Sequence, residues 1–280
     1  MIDNNKLLLC IAGKNDIAVN AIDYVISEGI LSTSNICVAI NDTDLGVDTW
    51  QKSLLKYAID NQIRVISLDD IYDNEEIVFI SLEYAELVNP AKFKTKSLYN
   101  IHFSNLPGYK GMYTSAHPIL NGEKESGVTL HFIDAGIDTG DIIDKQIFDI
   151  TINDTARDLY YKYLKHGFEL FKRNIRILLS NSIVSYPQGI IGSTYYSKSS
   201  IDYNNIVINL KKTAYEIHNQ LRGYIFAEYQ YPQILSYKIY KSELLSKKRD
   251  GEIIVKENGY LSIRGIDGYV VNAYYVEDEP

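Results

Sequence analysis

Hydrophobic positions along this chain fall into short continuous runs that alternate with stretches of helical spacing. Residues 7–12 are an unbroken apolar run closed by Gly13, and residues 17–28 then carry apolar side chains three and four apart. That succession predicts a strand followed by a helix. The alternation continues with a strand at 36–39, a helix over 50–61, and short runs at 63–66 and 77–81 that read as buried strands. Strands separated by helices point to a parallel sheet covered on both faces. A further strand at 98–102 leads into residues 104–111, where Pro107, Gly108 and Gly111 dictate a loop. Beyond it the spacing predicts a short helix over 113–121 and strands at 127–133 and 142–148 around a Gly- and Asp-rich turn. A long amphipathic helix follows over 155–179.

From about Ser185 the texture changes to short Tyr-rich segments, with a helix expected over 206–224 and hairpin-like strands within 252–276. The expected organisation is an α/β domain with a mainly parallel sheet over residues 1–185, followed by a smaller subdomain with a β-hairpin over 186–280. No internal repeat or low-complexity linker marks the boundary.

Composition narrows the classes. A chain of 280 residues with 46% hydrophobic content can bury a full core. Acidic residues outnumber basic ones by 36 to 28, for a formal charge of -8, so a generic grip on a nucleic-acid backbone is not expected. Any anionic ligand must meet a local basic cluster. Cys10 and Cys37 lie inside apolar runs and read as small buried hydrophobes, neither a disulfide nor a metal pair, so no metal is expected and a reducing cytoplasm fits. The first apolar run is too short to span a membrane, and no membrane partner is expected. The 24 tyrosines suit half-buried surfaces that stack rings or meet a partner subunit.

The chemistry concentrates after residue 99. Asn100 and His102 stand two apart at the end of a predicted strand, which puts both on one face. Open parallel sheets bind ligands at that carboxyl end. Further along, Asp134, Asp138 and Asp141 sit on the glycine-bearing turn. Taken in order, Asn100-Ile101-His102-Phe103-Ser104-Asn105-Leu106-Pro107, Gly111, Pro118-Ile119, Gly122-Glu123, Gly127-Val128-Thr129 and Asp138-Thr139-Gly140 resemble the signature of folate-dependent formyltransferases. The family's triad falls on Asn100, His102 and Asp138, while Asn105 departs from the more usual apolar residue. The resemblance implies a Rossmann-like formyltransferase domain and N10-formyltetrahydrofolate as co-substrate. It also implies that the pterin is held near Leu82, Glu83 and Tyr84, with Asp134 as a further folate contact. Transfer to a neutral amine creates an oxyanion that needs preplaced donors, for which the Asn100 amide and a protonated His102 are suited. Asp138 either orients His102 or accepts the amine's proton.

That family includes methionyl-tRNA, glycinamide ribonucleotide and sugar formyltransferases. The acidic balance disfavours tRNA, and the extension after residue 185 exceeds what the ribonucleotide enzyme needs. Ile11-Ala12-Gly13-Lys14-Asn15-Asp16, Lys110-Gly111-Met112-Tyr113-Thr114 and the stretch from Leu221 to Pro232 resemble sugar N-formyltransferases acting on nucleotide-linked amino sugars. The resemblance implies a dTDP-linked 4-amino-4,6-dideoxy sugar as acceptor, for surface polysaccharide (O-antigen) biosynthesis. The 3-amino isomer, UDP-amino sugars and a non-catalytic sugar-nucleotide binder stay open. Lys14, Asn15, Lys110, Met112, Tyr113, Thr114, Arg222, Tyr224, Phe226 and Tyr229 are the expected substrate contacts, the aromatics for a base and the cations for a diphosphate. The aromatic C-terminal region is the expected face of a homodimer.

Overall fold

Strand β1 (Leu8–Gly13) realises the first apolar run and helix α1 (Asn15–Ser27) follows it directly. These come from a computed structural model that describes residues 8–180 and 182–276. After β2 (Ile36–Ile40) come helix α2 (Leu54–Asp60), β3 (Arg64–Val65), β4 (Ile77–Leu82) and β5 (Leu98–His102). Next are the one-turn helix α3 (His117–Leu120), β6 (Glu125–Phe132), β7 (Ile142–Asp149) and the long helix α4 (Ala156–Leu179). The rest comprises α5 (Ala214–Tyr224), β8 (Gln233–Ile234), β9 (Tyr237–Lys248), β10 (Ile254–Glu257), β11 (Tyr260–Arg264) and β12 (Tyr269–Tyr275).

The chain groups into two units that interleave in sequence. One comprises residues 1–110, 127–147 and 163–194, the other residues 111–126, 148–162 and 195–280, so the division is not a single cut near 185. The first unit is built on a seven-stranded sheet in the order β3-β2-β1-β4-β5-β6-β7, parallel from β3 to β5 and antiparallel where β6 meets β5. On one face Cys10, Ala12, Cys37, Ile77, Phe79 and Leu98 form a core with Ile71 and Phe93. The alternate residues Leu9 and Ile11 are also fully buried, which explains unbroken apolar runs where a one-sided sheet would alternate. Each such large side chain contributes roughly 1.5–3 kcal/mol. Strand β3 corrects the expectation of a buried strand at 63–66: Arg64 and Val65 pair only with β2 at the sheet edge and are exposed. Helix α2 starts at Leu54, not near 50, because Ser53 Oγ accepts from Lys56 N and the Asp44 carboxylate accepts from Leu54 N (2.7 Å) and Leu55 N (3.1 Å). A carboxylate against the first amides stabilises a helix start.

The second unit carries a five-stranded antiparallel sheet, β8-β9-β12-β11-β10. Helix α5 lays Ala214, Ile217 and Leu221 against Ile239, Leu261, Ile263, Val271 and Ala273. Its start, expected at 206, is set by a capping box in which Thr213 Oγ1 accepts from Glu216 N and Glu216 accepts from Thr213 N. Strand β9 escapes the sequence pattern because register shifts after Ile239 and Leu245 break its alternation.

Candidate active site

The site residues gather at the carboxyl edge of the parallel strands. Gly13 of β1 lies beside Leu82 of β4, and Ser81 of β4 beside Asn100 of β5. A Cβ at Gly13 would fall 2.0 Å from the Leu82 carbonyl oxygen, so only glycine lets the two strand ends approach this closely. Leaving this edge, the chain adopts left-handed backbone at Asn15 (φ 64°), Glu83 (φ 60°), Tyr109 (φ 59°) and Asp138 (φ 54°). Such residues cost about 1–3 kcal/mol each and concentrate at functional sites. The Asp138 turn is shaped by Asp134, whose Oδ1 accepts from Gly136 N (3.1 Å) and Thr139 Oγ1 (2.6 Å). Its exit needs Gly140, where a Cβ would sit 1.8 Å from the Phe132 oxygen.

Asn100, His102 and Asp138 converge. Asn100 Nδ2 donates to Asp138 Oδ1 (3.2 Å), and His102 Nδ1 lies 3.5 Å from Asp138 Oδ2. His102 Nε2 donates to the Tyr109 carbonyl (2.8 Å), which in the neutral ring leaves Nδ1 bare and facing the carboxylate. Burial holds His102 below the ordinary imidazole pKa, and Asp138 and the Tyr109 carbonyl only partly oppose it. Burial thus favours the neutral ring over the protonated donor expected from the sequence. A fourth group, His131, was not singled out from the sequence. It is 2% exposed, donates from Nδ1 to the Phe132 carbonyl (2.8 Å), and accepts at Nε2 from Asn100 Nδ2 (3.1 Å). Its Nε2 is 3.6 Å from Asp138 Oδ1. Both hydrogens of the Asn100 amide are thus engaged. Its signal was the antiparallel register opposing His131 to Asn100, which requires knowing that β6 pairs with β5.

This cluster can hold a proton between His102 Nδ1 and the Asp138 carboxylate, and can offer an amide hydrogen to developing negative charge. A Formyl transferase family model matches residues 78–175, the stretch that contains it. Over the whole chain the protein is similar to WlaRD, a sugar 3N-formyl transferase solved in the presence of dTDP and 5-N-formyl-THF. The two share 48% identity over 98% of this chain and 99% of that one, with a TM-score of 0.94. An N-formyltransferase from Helicobacter canadensis, solved with folinic acid and dTDP-3-aminofucose, is 49% identical over 97% of this chain and all of its own (100%), with a TM-score of 0.93. This chain belongs to the sugar N-formyltransferase family. A methionyl-tRNA formyltransferase from Clostridium beijerinckii is 37% identical over 169 residues, 57% of this chain and 53% of that protein. The chain spans about half the length of the first curated relatives it matches. A 4-N formyltransferase from Francisella tularensis, 20% identical with a TM-score of 0.65, shares the fold.

In this sugar N-formyltransferase the remaining expected contacts divide. Leu82 is fully buried at the end of β4. Glu83 is clasped by two residues: Asn15 Nδ2 donates to its carboxylate (3.2 Å) and Asn41 Nδ2 to its carbonyl (2.8 Å), while Asn41 Oδ1 accepts from Ala85 N (2.8 Å). Asn41 gave no signal in the sequence, since its task is to bond backbone. Tyr84 is half-buried against the core, and burial pushes its phenol pKa up. Lys14 and Lys110 are half-buried, and Lys110 Nζ donates to Ser193 Oγ (3.0 Å).

Within the second unit, Tyr113 has φ 57°, which prevents the helix expected from 113 and leaves only the single turn of α3. Met112 is exposed and Thr114 half-buried. The Tyr113 ring meets Tyr203 edge-on at 5.1 Å, and Tyr203 in turn meets Tyr224 at 6.4 Å. Tyr229 is exposed, whereas Phe226 is buried against Tyr160 and Tyr229. Arg222 is the plain correction. It is 2% exposed and donates to the Thr151 and Asp154 carbonyls (2.9 Å each) and to Asn219 Oδ1 (2.9 Å), tying helix α5 to the 151–154 turn. Helical spacing puts it on the buried face with His218, so this guanidinium is committed to the protein's own backbone.

Proposed function

We propose that this chain moves the formyl group of N10-formyltetrahydrofolate onto the amine of a dTDP-linked 3-amino sugar, with Asn100, His102 and Asp138 carrying the chemistry. The observation behind it is the convergence of these three groups at the strand edge, in a chain nearly half identical to enzymes seen with dTDP or dTDP-3-aminofucose and folates. Those relatives favour the 3-amino acceptor over the 4-amino isomer that the sequence put first. A role in surface polysaccharide assembly and a homodimer are consistent with this reading.

The attacking nitrogen becomes positive and the formyl oxygen negative. Asn100 supplies a hydrogen to that oxygen by releasing one of its two intramolecular bonds. Asp138 and the bare Nδ1 of His102 take the nitrogen's proton together and return one to the folate nitrogen. Burial disfavours the imidazolium of His102, and in the neutral ring with its proton on Nε2, Nδ1 is the nitrogen that accepts. Incubating the protein with formylated folate and a panel of dTDP-3-amino, dTDP-4-amino and UDP-amino sugars, read by mass, tests the proposal. A gain of one formyl group on the dTDP-3-amino sugars is expected. Turnover confined to the 4-amino sugars would overturn the acceptor, and turnover only of initiator methionyl-tRNA would overturn the class.

A further inference from the structure

The segment from Tyr186 to Thr194 touches the catalytic cluster at both of its anchors without contributing a catalytic group. At its start Tyr186 pairs with Ile142 at the head of β7. Two residues later Gln188 Nε2 donates to the carbonyl of Asp138 (2.8 Å) and to that of Gly140 (2.8 Å). Two acceptors on one nitrogen fix the orientation of the amide, because its oxygen offers a carbonyl nothing. At the far end Thr194 Oγ1 accepts from Tyr109 N (2.8 Å), and Tyr109 is the residue whose carbonyl holds His102. Between these ends Ile190 and Ile191 are 92% and 96% exposed. The segment is thus held by its ends, and both ends bear on the triad.

Gln188 meets its targets at a demanding place. Asp138 is in left-handed backbone, and Gly140 is pressed against Phe132, so the turn has little intrinsic preference for its shape. We propose that Gln188 is a positioning residue for the reaction: by spanning the Asp138 and Gly140 carbonyls it holds the Asp138-Thr139-Gly140 turn so that the carboxylate faces Asn100 and His102. Groups that orient a functional side chain in this way commonly change activity by about 10–100-fold when removed.

This inference rests on the formyl-transfer reading above, and its test keeps the two apart. Gln188→Leu removes both donors with a shorter apolar side chain, while Gln188→Glu preserves shape and sets oxygens against two carbonyl oxygens. In both variants kcat should fall about 10–100-fold with KM for either substrate little changed and the thermal midpoint near that of the parent. Gln188→Glu should regain part of its rate as acid protonates the new carboxyl and restores one donor. Independently of any substrate, NMR titration of the His102 ring in Gln188→Leu should give a lower midpoint than in the parent, because a displaced Asp138 no longer favours the imidazolium. An unchanged kcat, a rise in KM alone, or an unmoved His102 midpoint would overturn the proposal. Should Gln188→Leu fail to fold, Gln188→Glu decides: a parental rate at neutral pH defeats it, and a depressed rate that acid partly restores upholds it. A parent protein that formylates no sugar would sink the functional reading while leaving the His102 titration able to judge Gln188.

Discussion

His102 and His218 are both buried histidines whose Nε2 donates to a backbone carbonyl at 2.8 Å, yet only His102 faces a carboxylate with its other nitrogen. His218 finds a hydroxyl at its other nitrogen, Ser242 Oγ at 2.9 Å, so a neutral ring is fully satisfied, and burial lowers its pKa to about 4. His102 finds the Asp138 carboxylate there instead, at 3.5 Å, an arrangement that becomes complete only when a proton arrives. Burial alone therefore does not mark a site. The nature of the second partner does, together with the left-handed backbone that brings that partner in.

The sharpest way to break this contrast is to exchange both rings for asparagine. His102→Asn should reduce turnover by about 10²–10⁴-fold with the fold kept, whereas His218→Asn should leave kcat near parental and show its effect in thermal unfolding. A folded His218→Asn protein that has lost turnover would end the distinction. Next in size, Arg222→Met should cost about 2–3 kcal/mol in urea unfolding, since it strips donors from the Thr151 and Asp154 carbonyls, with KM for the sugar nucleotide unchanged. A large rise in KM at parental stability would return Arg222 to the ligand. His131→Leu should lower kcat about 10–100-fold through a loosened Asn100 amide, and assays alongside circular dichroism would detect it.

The smallest effect expected is on acid stability. His117 and His218 have folded pKa values of about 4 against 6.5 for an ordinary histidine, so below pH 6.5 the unfolded chain binds more protons than the folded one. Their contribution is complete above that range and is lost as pH falls toward 4. By pH 5 each should cost on the order of 1–2 kcal/mol. A thermal midpoint flat between pH 7 and 5 would contradict it, as would equal acid sensitivity in His218→Asn.

Much of the first unit was legible in advance because its strands are buried on both faces and its helices amphipathic, signals that lie within a few consecutive residues. The Asn100, His102 and Asp138 motif was legible for the same local reason. Strand β9 was not, because bulges shift its pairing register, and the start of the helix expected over 206–224 was placed ahead of a capping box at Thr213 and Glu216 that could have been read. Arg222 misled because a basic residue among aromatics looks the same in sequence whether it meets a diphosphate or two carbonyls.

By itself, then, the sequence determined the alternation of elements, the residues that resemble a formyltransferase triad, and the glycines without which the strand edge cannot close. Tertiary structure alone decided the rest. His131 reaches Asn100 only across an antiparallel ladder, and Gln188 reaches the Asp138 turn from 50 residues away. Arg222 is spent inside the second unit, and burial favours the neutral ring of His102. Each of these depends on which distant backbone or carboxylate lies within about 3 Å, and hydrogen bonding and desolvation at that range follow from packing, which local spacing does not encode.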